Sequence, residues 1–241
     1  MATRSGGAAR AGLGAREVKP NPIPVPNRFA TLQSVAEPVR AATLASLPSR
    51  VPVPKGSQGG GIVLIGSSNV KRIVAPLRRK VERKGGDLST TSWCIPSGCV
   101  PNVTSALGAA AKGTGCSKLR VVAHAGVNDA CNRSTKDILR SFKDLNSEVG
   151  RVRASLGVDV RLSICSVVPR TDRGHRIRRK IEGLNSRLRD FCQGMGADFV
   201  DLRPTLRSCS LALNGSGVHY TAEAAGRVAH RIYEHCRRFL E

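Results

Sequence analysis

From Gly61 onward, short apolar runs alternate with longer charged segments, and this alternation restricts the possible folds more than any other feature of the sequence. Each apolar run has the length of a buried strand, and each charged segment is long enough for a helix. The predicted strands are 61–66, 89–95, 119–126, 160–168 and 197–202, and the predicted helices lie near 69–84, 102–112, 134–155, 173–194 and 221–240. This order is typical of an α/β fold, a three-layer α/β/α sandwich around a five-stranded parallel sheet.

The first 60 residues differ in composition and are predicted to form a disordered tail or linker rich in Pro, Gly and Arg. They hold 8 of the 13 prolines, and the stretches "NPIPVP" and "VPVPKGSQGGG" cannot support regular hydrogen-bonded structure. We therefore expect a tail at 1–60 and one domain at 61–241. The basic start of the tail is compatible with a mitochondrial transit peptide or with a basic arm on nucleic acid.

The net charge predicts a polyanionic partner. The chain has 39 Lys and Arg against 17 Asp and Glu, a formal net charge of +22. Aromatic residues make up only 3%, so phosphate contacts rather than base stacking would bind RNA or single-stranded DNA. Each basic cluster could instead be a solvated helix surface. Two clusters would supply phosphate contacts if they share a face: Arg78, Arg79 and Lys80, and Arg176, Arg178, Arg179 and Lys180.

The eight cysteines argue against a metal site, because they form neither a C-x-x-C pair nor a Cys/His zinc spacing. No apolar signal peptide precedes them, so we expect reduced thiols in an intracellular protein, cytoplasmic or nuclear. The apolar runs are too short for a membrane span. No heptad pattern predicts a coiled coil, and the oligomeric state stays open.

Four residues that offer hydrogen-bonding groups are expected at one edge of the predicted sheet, where parallel strands bind ligands. Ser68 follows the first strand, Gly98 the second and Asn128 the third, and His219 precedes the last helix. Each residue alone has an ordinary explanation, such as a helix cap or a turn. Together, a hydroxyl, a glycine amide, an amide side chain and an imidazole favour acyl chemistry.

The segments around these residues resemble a known family. "IGSSN", "IPSGC", "AGVND" and "GVHYT" are similar to the four blocks of the SGNH or GDSL hydrolases, which have a flavodoxin-like sandwich. The resemblance implies that Ser68 is the nucleophile and His219 the general base. It also implies an oxyanion hole made by the Ser68 and Gly98 amides and the Asn128 side chain, a short-acyl ester substrate such as an acetyl ester, and no metal or organic cofactor.

Two departures from the family pattern bear on activity. Ser67 stands where the first block usually has Asp, and Ser216 stands where the triad Asp belongs. A backbone carbonyl, Ser216 itself or Glu223 would have to orient the His219 ring instead. The sequence therefore predicts either a slow Ser–His dyad or a hydrolase scaffold that is retained for binding nucleic acid.

Three further stretches resemble a narrower group. "SICSVVPR" at 163–170, "LNSRLRDFCQGMGADFVDL" at 184–202 and "PNRFATLQ" at 26–33 are similar to the esterase domain, and the segment before it, in the first open reading frame of LINE-type retrotransposons. This resemblance implies a retroelement protein that hydrolyses an ester in its cleft and binds RNA through its basic surface.

Overall fold

A computed structural model describes residues 59–84 and 88–240 of the chain. Almost all of the tail predicted for 1–60 lies outside the described residues. The strands are β1 (Gly60–Gly66), β2 (Ser89–Cys94), β3 (Lys118–His124), β4 (Asp159–Cys165) and β5 (Asp198–Val200). The helices are α1 (Val70–Lys84), α2 (Val100–Ala111), α3 (Val127–Asn132), α4 (Thr135–Leu156), α5 (His175–Met195), α6 (Arg203–Arg207) and α7 (Ala222–Leu240).

The five strands form one parallel sheet in the order β2-β1-β3-β4-β5, which confirms the predicted fold class. β2 and β3 pair with the two sides of β1. The strand order reverses at β1, and the carboxyl ends of the strands at such a reversal are the usual ligand position in this architecture.

Two apolar layers hold the helices on the sheet. Side chains on one face of β1 and β3, such as Val63 and Val121, pack with α2, α4 and α5. Side chains on the other face, such as Leu64 and Val122, pack with α1 and α7. Because β1 and β3 are covered on both faces, their apolar runs are continuous rather than alternating, which is why the sequence reveals these two strands so clearly.

The predicted ends of β3, β4 and β5 lie beyond the observed ends, and local geometry explains the first two differences. Beyond β3, Gly126 turns the chain with a φ of 105°, which ends the extended backbone. Beyond β4, the side-chain amide of Asn185 accepts from the Val167 amide at 2.7 Å and donates to its carbonyl at 2.8 Å. A helix side chain thus replaces the neighbouring strand. The short helices α3 and α6 were not predicted.

In the part of the chain that the structure describes, none of the helices combines the length and apolarity needed to cross a bilayer.

Candidate active site

Ser68 lies in the turn between β1 and α1, and the neighbouring strands hold that turn tightly. The Ser67 amide donates to the His124 carbonyl at 3.1 Å, and the Ile95 amide donates to the Gly66 carbonyl at 2.8 Å. A Cβ on Gly66 would lie 2.1 Å from the His124 carbonyl oxygen, so only glycine fits there. The turn is therefore fixed to β2 and β3, and it presents a partly exposed Ser68 at the carboxyl edge of the sheet.

His219 lies in a loop that returns to the same edge before α7. Leu213 and Tyr220 form an isolated antiparallel bridge, and the Asn214 amide donates to the His219 carbonyl at 2.8 Å. The loop brings Nδ1 of His219 to 3.4 Å from Oγ of Ser68. This separation is at the long end for a hydrogen bond, and contacts between nucleophile and base are often long before substrate binds. The predicted nucleophile and base are thus adjacent.

Asn69 joins the serine turn to the histidine loop from both sides of His219. Its side chain donates to the Val218 carbonyl at 3.2 Å and accepts from the Tyr220 amide at 3.0 Å. Only 4% of Asn69 is exposed, so water competes little for these bonds. The backbone on each side of His219 is therefore held relative to Ser68 by a single amide.

A buried pair of rings supports the histidine loop from below. Nε2 of His124 shares a 2.8 Å hydrogen bond with the hydroxyl of Tyr220, and the rings meet edge to face. Burial lowers the pKa of His124 to about 4 and raises the pKa of Tyr220 well above its usual value. Both side chains are neutral at pH 7. The buried layer beneath the histidine loop therefore carries no charge from this pair of rings.

Gly98 and Asn128 follow β2 and β3, the two strands that flank β1, and they meet at the carboxyl edge of the sheet. The side-chain amide of Asn128 donates to the Gly98 carbonyl at 3.1 Å. Asp129 is fully buried and fixes this arrangement, since its carboxylate accepts from the Val100 amide at 3.0 Å and from Arg133 at 3.0 Å. The first turn of α2 is thereby tied to α3.

The groups that were predicted to form an oxyanion hole differ in their availability. Among the described residues, the Ser68 amide donates to no backbone carbonyl. Asn128 donates one amide hydrogen to Gly98 and has a second. The single amide hydrogen of Gly98 instead points to the Ile95 carbonyl at 2.9 Å, within a turn. Of the three predicted groups, the Ser68 amide and the second amide hydrogen of Asn128 are therefore free to donate, as far as the described residues show.

The residues considered for orienting the His219 ring bond to other groups. Ser216 donates to the Asn214 side chain at 2.6 Å. Glu223 accepts from Ser210 at 2.8 Å and pairs with Arg227 at 3.0 Å. No carboxylate within 59–84 or 88–240 forms an ion pair with His219.

Cys99 is a second side chain near the site with nucleophilic chemistry. It follows Gly98 directly and is partly buried. Burial raises the pKa of its thiol, and the nearby Asp129 carboxylate raises it further. Because the thiolate is the reactive form of cysteine, this environment favours Ser68 as the nucleophile.

The two predicted basic clusters do not share a face. Arg78 and Arg79 are exposed on α1, whose apolar side packs on one face of the sheet. Arg178 and Arg179 are exposed on α5, whose apolar side packs on the opposite face. Of the remaining cluster residues, Lys80 lies on α1, and Arg176 and Lys180 lie on α5.

No protein-family model and no curated protein matches the chain. Solved structures do match. A GDSL-like lipase from Bacteroides thetaiotaomicron is 16% identical with a TM-score of 0.60, and the match covers 78% of this chain and 92% of that one. The esterase EstA from Pseudoalteromonas, in a structure inhibited by monoethylphosphonate, is 12% identical with a TM-score of 0.59, over 75% and 98%. The acetyl xylan esterase AlAXEase is 13% identical with a TM-score of 0.58, over 73% and 98%.

This chain has the GDSL hydrolase fold. The described core spans most of each matched lipase or esterase, so the resemblance in the four sequence blocks coincides with a resemblance of the whole fold. At these identities the match concerns the fold, and the chemistry has to be argued from the residues themselves.

The roles of Asn69 and Asp129 were missed from the sequence, although both residues stand inside quoted blocks. Asn69 directly follows Ser68, and Asp129 directly follows Asn128. The signal was a second polar residue at a strand end, a position where a side chain can bond to backbone as well as to a ligand. Spacing alone does not distinguish these two uses.

Proposed function

We propose that the chain is a serine ester hydrolase of the SGNH type that acts on a short-acyl ester, such as an acetyl ester. The observation that carries the proposal is the 3.4 Å separation between Ser68 Oγ and His219 Nδ1 at the carboxyl edge of a GDSL hydrolase fold. The acetyl preference draws on the family resemblance and on the likeness to an acetyl xylan esterase.

The proposed reaction has two acyl-transfer steps. Ser68 Oγ attacks the ester carbonyl while His219 takes its proton, and the oxyanion accepts hydrogen bonds from the Ser68 amide and the Asn128 side chain. Collapse releases the alcohol, which receives the proton from His219, and leaves an acyl-serine. Water then attacks the acyl group, gives a proton to His219, and the acid is released as Ser68 regains its proton.

The reaction is expected to be slow because Ser216 replaces the triad acid. In serine proteases, loss of the acid costs about 10⁴-fold in turnover, while the oxyanion hole and substrate binding still give about 10³-fold to 10⁴-fold over water. Asn69 takes over part of the missing role by holding the backbone of His219. It does not contact the ring and cannot stabilise the imidazolium by charge.

Hydrolysis of p-nitrophenyl acetate by the full chain tests the proposal, with Ser68→Ala and His219→Ala as variants. We expect each variant to lose about 100-fold in kcat. In a serine protease, losing the whole triad costs about 100-fold more than losing its acid alone, and here only the serine and histidine are left to lose. Free thiols such as Cys99 also attack this ester, so the informative quantity is the difference between wild type and Ser68→Ala. Equal turnover in all three proteins would reject the dyad.

A second candidate function is a basic RNA-binding or single-stranded-DNA-binding module on an impaired hydrolase scaffold. It is supported by residues 61–241 alone, where 31 Lys and Arg stand against 15 Asp and Glu. Because Arg78 and Arg178 lie over opposite faces of the sheet, one strand of nucleic acid would have to pass around the domain to reach both clusters. Binding that falls steeply with salt and is unchanged in Ser68→Ala would favour this function.

The origin of the protein in a LINE-type element, and its intracellular location, cytoplasmic or nuclear, remain predictions from the sequence. Both functions fit such a protein, since the ester site and the basic helices occupy separate surfaces. An ester substrate and a nucleic acid are therefore compatible partners.

A further inference from the structure

A second cleft of about 560 Å³ lies at the amino-terminal edge of the sheet, away from Ser68. It is bounded by the first residues of β3, β4 and β5 and by the end of α7. Its size falls in the usual range for small-molecule sites, which is about 300–1,000 Å³. The sequence did not point to it, because its residues come from four separate segments.

The inner wall of the cleft is built around Arg120, a buried arginine with 3% of its surface exposed. Its guanidinium donates to Ser163 at 3.2 Å and pairs with Asp198. It also lies over the ring of Phe239, with 4.3 Å from Cζ to the ring centroid, and Arg161 lies 4.5 Å from the same centroid. Two guanidinium groups and one aromatic ring thus form a rigid cationic surface.

The cleft carries more positive charge than its acids can balance. Asp198 compensates Arg120, and Asp159 lies 4.0 Å from Arg161. Within the described segments, no carboxylate forms an ion pair with Lys118 or Arg238. Two uncompensated cations and an exposed Arg161 therefore face the same space.

The positive charge of the cleft also affects His235, which lies in its wall. Burial lowers its pKa, and the positive charge of Arg120 lowers it further, with Arg238 contributing in the same direction. Its Nε2 lies 3.0 Å from the hydroxyl of Ser163. A neutral imidazole in the wall adds a hydrogen-bonding group without adding charge.

We propose that this cleft binds the phosphate group of a phosphate ester, either a free nucleotide or the backbone of a single-stranded RNA. Several cations facing one space suit a phosphate group, whose non-bridging oxygens number three in a nucleotide monophosphate and two in an RNA backbone. The fork of an arginine matches two of these oxygens at once. The cleft has room for more than an inorganic ion, so the phosphate carries an organic group. The ligand would bind at the edge opposite Ser68 and leave the ester site open.

Isothermal titration of the full chain at about 0.1 M salt tests the proposal, with inorganic phosphate, AMP and an eight-nucleotide single-stranded RNA as the three probes. We expect Arg238→Glu to weaken AMP or RNA binding by about tenfold or more, because it removes a charge-assisted hydrogen bond and places a like charge beside the phosphate. Arg187→Glu is the matched control, since it makes the same charge change at an exposed residue of α5 that lies outside the cleft and outside both basic clusters. It should change the affinity less than twofold.

The outcomes separate the possible sources of the phosphate. AMP binding that depends on Arg238 assigns the site to a free nucleotide, and RNA binding with the same dependence but no AMP binding assigns it to a nucleic-acid backbone. Equal weakening by Arg238→Glu and Arg187→Glu would overturn the proposal in favour of general surface attraction. Absence of binding for all three probes would also overturn it.

Two further measurements tie the binding to the cleft. The ring signals of His235 in an NMR spectrum should shift on adding the bound probe, while those of His219 at the other edge should not. Arg161→Gln removes the charge of a second exposed side chain without reversing it and should also weaken binding, so the loss would not rest on one charge reversal alone. An unchanged His235 signal in the presence of a saturating ligand would contradict the location.

Discussion

The two edges of the sheet carry different chemistry, although the same strands form both. At the carboxyl edge, Ser68, Asn128 and His219 offer a hydroxyl, an amide and an imidazole. At the amino edge, Arg120, Arg161 and their neighbours form a cationic cleft. The ester chemistry proposed for one edge needs neutral groups that exchange protons, and phosphate binding at the other needs fixed charge.

Helix direction explains part of this difference. Each helix that follows a strand runs back along the sheet, so several helix carboxyl ends gather at the amino edge. The macrodipole favours cations there, and the last turns of α1 and α7 are basic, with Arg83, Lys84, Arg237 and Arg238. At the carboxyl edge, helix amino ends leave amide groups free for an oxyanion. The fold itself therefore predisposes the two edges to different ligands.

The largest expected effect concerns His124, the buried histidine at the carboxyl end of β3. Burial lowers the pKa of His124 to about 4. Since an unfolded histidine titrates near 6.5, the unfolded state binds the proton first as the pH falls from about 6.5 to about 4. This group should cost the fold about 3 kcal/mol by pH 4, and nothing above pH 7.

Urea unfolding at pH 7 and pH 4 measures that loss, with His124→Gln as the comparison, because glutamine can still hydrogen bond to Tyr220. The drop in unfolding free energy between the two pH values should be smaller in the variant by about 3 kcal/mol. An equal drop in both proteins would show that His124 can be protonated inside the fold at no cost.

A smaller effect is expected for Asn69→Ala at the carboxyl edge. Removing the two bonds that flank His219 should lower kcat for p-nitrophenyl acetate by about tenfold with little change in KM, because the base loses its alignment and substrate binding does not. Asn69→Asp keeps the bond to the Tyr220 amide and should retain more activity. A rise in KM with constant kcat would remove Asn69 from the positioning role.

The Ser216→Asp variant should change the same edge in the opposite direction. A carboxylate three residues before His219 can stabilise the imidazolium, so we expect kcat to rise by about tenfold and the pH at which activity reaches half its maximum to increase. The pH–rate profile of the two proteins checks both effects. Identical profiles would mean that the loop keeps residue 216 away from the ring, as its bond to Asn214 now does.

The smallest effect is expected when a substitution in the cationic cleft is tested for its effect on ester hydrolysis at the opposite edge. Arg238→Glu should leave kcat and KM for p-nitrophenyl acetate within about twofold of wild type. Arg238 is exposed at the edge opposite Ser68, and salt screens exposed charges that lie more than about 10 Å apart. Steady-state kinetics at about 0.15 M salt check this. A large change would mean that the edges are coupled.

The sequence predicted the fold because strands buried on both faces leave continuous apolar runs such as "GIVLIG". It also pointed to Ser68 and His219, since both stand at segment boundaries inside recognisable blocks. The cationic cleft could not be predicted in this way. Lys118, Arg161 and Phe239 lie in unrelated segments, and only the parallel register and the end of α7 bring them together.

The side-chain bonds to backbone were also beyond sequence reasoning. Asn185 bonds to Val167 just beyond the end of β4. The Gly98 amide bonds to the Ile95 carbonyl and is not left free for an oxyanion. An asparagine or a glycine in a loop has several acceptors within reach, and packing decides among them. Motifs therefore indicated which residues meet, and the structure indicates which hydrogen bonds they form.

Labelling with a reactive phosphonate tests the central claim most directly, because such a reagent forms a covalent bond with an activated serine nucleophile. After incubation with an ethyl fluorophosphonate, peptide mapping by mass spectrometry should find one adduct on Ser68 in the wild type and in Arg238→Glu. No adduct should form in Ser68→Ala, and labelling should be much slower in His219→Ala. An unlabelled Ser68, or an adduct on Cys99 instead, would contradict the account of the carboxyl edge as a serine hydrolase site.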